Sequence, residues 1–121
     1  MLYALLIYGN EAEVDATPEG LRSMLDAYQG YEAWLDDRGI KRAAEALYPT
    51  DQATTMRVRD DEAMTTDGPF AETKEQLGGF YLLDCEHLDD ALEAARMCPG
   101  SRTGAVEVRP VVDFAQLEGG P

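Results

Sequence analysis

Between Leu2 and Gly9 the chain is almost continuously apolar, "LYALLIYG", with Tyr and Ile residues that suit extended backbone. A run of this kind predicts a central strand buried on both faces. A polar loop follows, and then helix punctuation. Thr17 is a capping residue, Pro18 suits the first helical position, and Gly39 suits the stop. Between them Met24, Tyr28, Tyr31 and Leu35 recur at i, i+4, i+7 and i+11, the single apolar stripe of an amphipathic helix. Gly30 sits inside that helix at a cost of about 1 kcal/mol relative to Ala.

The next segment, "ATTMRVRD", alternates. Thr55, Arg57 and Arg59 share one face and Met56 and Val58 the other, which predicts a strand. A turn at Asp60 to Glu62 leads into "AMTT", which can fold back as a short hairpin arm. "GGFYLLDC" predicts a strand over Gly78 to Cys85. "HLDDALEAARMCPG" predicts a second helix with Leu88, Ala91, Leu92 and Ala95 as its buried stripe, ended by Pro99 and Gly100. "AVEVRPVVDF" predicts a last strand, with Val106, Val108 and Val112 opposite Glu107 and Arg109. Residues 116–121 read as a flexible C-terminal tail, which leaves 1–115 as one domain.

The order is β-α-β-β-α-β with an insertion in the middle hairpin, an α+β, ferredoxin-like arrangement with an antiparallel sheet. Right-handed crossovers place both helices on one face of that sheet. The other face is expected to present Arg57, Tyr81, Glu107 or Arg109 among apolar residues. Such a face must be covered or used, and pairing two of them in a homodimer is the simplest cover.

Composition narrows the classes of function. The 121 residues carry 24 acidic and 10 basic side chains, a formal net charge of -14. That surface repels a polyanion, so direct nucleic-acid binding is excluded. No apolar run approaches the ~20 residues of a membrane span. The opening apolar run lacks a basic segment before it and a small-residue cleavage site after it, so it is not read as a signal peptide, and the expected location is cytoplasmic. Cys85 and Cys98 lack metal-site spacing and are expected reduced. With a single His in the chain, no metal site and no cofactor are expected.

The densest chemistry lies in "TDGPFAETKEQLGGF", Thr66 to Phe80. Gly68 precedes Pro69 and is expected extended. Asp67 can bond its own downstream backbone as an Asx-turn, and Phe70 can plug apolar space. Glu72 and Lys74 can pair with Asp67 or Arg57 and lock the loop over the sheet. The segment is then a structural clamp, or a ligand or partner site built on one. His87 stands where a helix cap belongs, and Trp34 reads as core or dimer contact.

"LLIYG", "TDGPFAETKEQLGGFYLL", "LDDALEAARMCPG" and "VEVRPV" resemble the YCII-related proteins, in particular their DGPF subgroup, over about Leu2 to Val112. The resemblance implies a ferredoxin-like domain that dimerises into an α/β barrel, with a cleft between sheet and first helix. It implies two functional readings. One is a dimeric protein that binds, or acts on, a small molecule. The other is a non-catalytic regulatory partner of an extracytoplasmic-function sigma factor. In the wider family a His in the first helix and an Asp before the Pro ending the second form the presumed catalytic pair. Those positions here are Tyr28 and Cys98. A phenol is a poor base at neutral pH, so whether the chain is catalytic stays open. The candidate cleft residues are Tyr28, Arg57, Asp67, Glu72, Lys74 and Tyr81.

Overall fold

The computed structural model describes residues 1–118. Six strands and four helices follow one another: β1 (Leu2–Gly9), α1 (Pro18–Arg38), β2 (Lys41–Ala46), β3 (Thr54–Arg59), β4 (Glu62–Asp67), β5 (Gln76–Asp84), α2 (Leu88–Met97), α3 (Gly100–Thr103), β6 (Ala105–Pro110) and α4 (Phe114–Glu118). The main sheet has the order β2-β5-β1-β6, every pair antiparallel. That is the ferredoxin-like order, and β3 and β4 form a separate two-stranded arm. The expected tail therefore starts inside α4, and residues 119–121 lie outside the described residues.

The helix boundaries follow their local chemistry. The Thr17 side chain accepts from the Gly20 backbone N–H at 3.1 Å, Pro18 opens α1, and Gly39 closes it at φ 65°. A left-handed residue at that position is what a glycine supplies without a Cβ clash. Tyr31 and Leu35 are buried from the predicted stripe, whereas Met24 stays exposed. In α2 the buried residues are Ala91, Ala94 and Ala95. Leu88 and Leu92, expected on the buried stripe, are exposed instead. Small side chains let α2 approach closely, and that rotates its leucines outward.

One strand was misplaced by the pattern. The sheet partner of β5 is "KRAAEA" at Lys41–Ala46, not the alternating "TTMRVR". β3 pairs only with β4, with Thr55 opposite Thr66 and Arg57 opposite Met64. Arg57 therefore belongs to the arm and not to the open sheet face. The arm reverses through Asp60 and Asp61, both at positive φ (52° and 65°), a two-residue turn whose twist matches a hairpin.

The core lies between the helices and one face of the sheet. Tyr3, Leu5, Tyr81 and Leu83 from β1 and β5 meet Tyr31 and Leu35 of α1 and the alanines of α2. Register fixes the two faces. Leu5 opposes both Tyr81 and Val108, so Tyr81 points to the helices and not to the open face as the sequence had implied. Leu6 opposes Phe80 and Glu107, and Ala4 opposes Leu82 and Arg109. The open face is thus apolar at its middle, through Leu6, Phe80 and Leu82. It is charged along β6, where Arg109 pairs with Glu107 at 3.1 Å.

Candidate functional site

The positions flagged by the family resemblance come together at the end of α2. The hydroxyl of Tyr28, from α1, lies against the thiol of Cys98, which caps α2 at its C-terminus. The Gly100 backbone lies beside both. The approach is tight, since a Cβ on Gly100 would come within 3.0 Å of the Tyr28 hydroxyl and 2.7 Å of Ile7. Glycine is required there by space, not by backbone conformation. Cys98 is fully buried, whereas Tyr28 is only partly so.

The electrostatics set what this pair can do. Burial pushes the Tyr28 phenol well above its ordinary value, and the neighbouring thiol adds to the shift. Burial raises the Cys98 thiol too, opposed by bonds from the Gly100 backbone and the Tyr28 hydroxyl. Both groups hold their protons at neutral pH. The pair therefore supplies neither a general base nor a thiolate nucleophile at neutral pH.

One turn further along α1, Glu32 accepts from the Tyr81 hydroxyl of β5 at 2.9 Å. Lys41, at the start of β2, pairs with Glu32 and reaches Asp36 at 3.3 Å. The Tyr81 ring meets Tyr31 edge-on with centroids 5.2 Å apart, and Tyr31 donates to the Ala94 carbonyl at 2.7 Å. Tyr81 is thus a core residue that ties β5 to α1 and α2. Burial first, and then the Glu32 carboxylate that accepts its proton, raise its pKa.

The remaining candidates lie elsewhere. Asp67 is the exposed last residue of β4. The Asx-turn expected of it is absent among the described hydrogen bonds. The turn is pinned by Thr55 Oγ1 donating to the Gly68 carbonyl at 2.9 Å and by the Gly68 N–H donating to the Ala53 carbonyl at 2.8 Å. Gly68 is not extended but sits at φ 107°, a conformation open to glycine and costly for other residues. Arg57 stacks over the Phe70 ring at 5.0 Å instead of pairing with a carboxylate. No ion pair joins Glu72 or Lys74 to Asp67 or Arg57 among the described residues, and all four residues are exposed. Lys74 borders an open, polar recess of about 570 Å³ with Tyr8, Asn10, Glu13 and Thr103. No α1 residue lines that recess, so Lys74 does not stand beside Tyr28.

The six candidates are therefore not one site. Tyr28 and Tyr81 share the helix side, Arg57 and Asp67 the arm, and Lys74 and Glu72 the loop beyond it. Glu32 was not singled out from sequence, and Gly100 was read only as ending the second helix with Pro99. No group of His, Cys, Asp and Glu among the described residues could hold a metal ion. No described helix is long and apolar enough to cross a membrane.

The YCII-related domain matches this chain over residues 1–115. The chain belongs to the YCII-related family. It is 43% identical over 115 residues to an uncharacterised protein of Rhizobium meliloti (strain 1021), covering 92% of each chain. Among solved structures it is similar to the 5-chloro-2-hydroxyhydroquinone dehydrochlorinase of Burkholderia phenoliruptrix in complex with 2,5-dihydroxybenzoquinone. That likeness has 16% identity and a TM-score of 0.49, over 93% of this chain and 94% of the other.

Proposed function

We propose that this YCII-related protein is a homodimer that binds a small molecule at the edge of the sheet–α1 interface, with the Tyr28 phenol oxygen contacting the ligand. The observation that carries the reading is the Tyr28–Cys98–Gly100 cluster, which occupies the positions of the family's presumed catalytic pair. There the phenol remains partly exposed while the thiol behind it is buried. A phenol held protonated by burial, with its proton turned toward the Cys98 sulfur, does not abstract a proton from a ligand. Binding is thus favoured over general acid–base catalysis at these positions. The dimer is supported by the uncovered sheet face with Leu6, Phe80 and Leu82 at its middle, which a second copy covers by symmetry.

Two measurements test this. Sedimentation at micromolar concentration should give a dimer, and Leu6→Glu should give a folded monomer. A wild-type monomer would remove the assembly from the reading. A fragment screen followed by amide NMR should return ligands that shift Gly100 and lose at least fivefold affinity in Tyr28→Phe. Hits that never perturb Gly100 would overturn the assignment of the site.

A further inference from the structure

The DGPF loop forms one wall of a second recess, of about 690 Å³, on the other side of Tyr8. Its opposite wall is the segment after β2, Leu47 to Ala53. That volume is in the range of small-molecule sites. None of the residues lining it is charged, in a chain of which 28% is charged. Tyr8, Tyr48 and Phe70 supply aromatic surface, and Pro49 and Pro69 stiffen the two rims.

The rims are held in place by the chain's own bonds. Glu11 accepts from the Thr50 N–H at 2.9 Å and from its hydroxyl at 2.8 Å. Thr55 and Ala53 fix Gly68 from the other side. Leu47 N–H donates to the Gly78 carbonyl at 2.9 Å. The two outer rings are nevertheless left in solvent, Tyr48 at 85% exposed and Phe70 at 74%. With both rings standing in solvent, the recess between the two rims is open before anything enters it. Preformed geometry of this kind lowers the ordering cost of binding.

We propose that this recess binds an uncharged, flat aromatic or heteroaromatic small molecule against Tyr48 and Phe70. No lining residue meets the charge of a ligand that loses hydration there, and the nearby Arg57 is already stacked on the Phe70 ring. A flat neutral ring gains aromatic contact with both residues. Polar atoms on its rim meet Tyr8, Gln52 and Thr54, because Thr50, Thr55, Thr73 and Gln76 spend their side chains on the protein itself. The site is separate from the Tyr28 cluster and does not depend on it.

The test uses the full chain and a matched pair of probes, 1-naphthol, neutral at pH 7, and 1-naphthoate, an anion. Titrations followed by NMR should show saturable shifts of Phe70 and Tyr48 with 1-naphthol, and at least tenfold weaker binding of 1-naphthoate. Phe70→Ala should weaken 1-naphthol at least fivefold with an unchanged melting temperature, since the ring is mostly exposed. Equal or tighter binding of the anion overturns the proposal, as does the lack of any saturable shift with 1-naphthol. Phe70→Ala that leaves naphthol binding intact but turns a dimer into a monomer also overturns it, and makes the recess a contact between copies. Shifts at Gly100 report separately on the Tyr28 cluster, so either site can fail alone.

Discussion

In the helix–sheet body, Leu5, Leu35 and Leu83 are completely withdrawn from water; on the β3–β4 arm, Met56, Val58 and Met64 are each about half in it. Both regions are made of strands with alternating side chains. What separates them is a third layer. β5 has neighbours on both edges and two helices over one face, whereas the arm has only its own partner strand. A lone two-stranded ribbon is marginal in water. The body therefore carries the stability of the chain, and the arm rides on it through its roots at Ala53 and Gly68. Alternation alone cannot tell the two cases apart.

The largest effect should come from the body. Leu83→Ala should destabilise the protein by about 2–5 kcal/mol, the range for emptying a packed leucine site. Chemical denaturation measures it directly. A loss under about 1 kcal/mol would mean that the body is no better packed than the arm.

An intermediate effect should appear with alkali. The folded-state pKa of Cys98 is raised by burial, so the native state holds this proton more tightly than the unfolded chain. Its contribution to stability is complete below the unfolded thiol pKa of about 8.5 and is lost as pH rises through the folded value. Melting temperature should stay level from near-neutral pH up to the unfolded thiol pKa and fall above it. Burial raises the phenols of Tyr28, Tyr31 and Tyr81 as well, which extends the decline to higher pH. Cys98→Ser should make the first part of the decline shallower. An identical decline in Cys98→Ser would show that the buried thiol does not drive it.

The smallest effect belongs to the arm. Met56→Ala should change global stability by no more than about 0.5 kcal/mol, as for other surface positions. Hydrogen exchange sharpens the contrast. Amides of Thr54–Arg59 and Glu62–Asp67 should exchange well before those of β1 and β5. Protection of the arm equal to that of β5 would show that something covers it in solution.

The same contrast explains what could be read from the amino acids. α1 was legible to its ends because Thr17, Pro18 and Gly39 state their roles locally, and β1 was legible as an unbroken apolar run. β2 was not. Three alanines with Lys, Arg and Glu read as helix-favouring, and the segment becomes a strand only because β5 offers it a free edge. With β2 unseen, the alternating β3 took its place, and Arg57 was carried onto a sheet that it never joins. Tyr81 was assigned to the wrong face because face is a matter of register with β1, which no single strand encodes. In the candidate site, Tyr28 and Cys98 were legible by family position, whereas their contact with Gly100 depends on α3 turning back toward Ile7. The uncharged recess gave no signal at all. Its walls come from segments far apart in sequence, and what unites them is the absence of charge rather than a motif.

The Asp60–Asp61 reversal has a practical consequence. It is exposed, it spends two residues in a backbone region that Asp tolerates and glycine prefers, and it lies at the far end of the arm from the body. A peptide tag or a fluorescent label inserted between these residues would extend a surface tip and leave every core contact as it is. The tip is therefore the natural handle for immobilising the protein, with the Tyr28 cluster and the recess beside Phe70 left free to be probed.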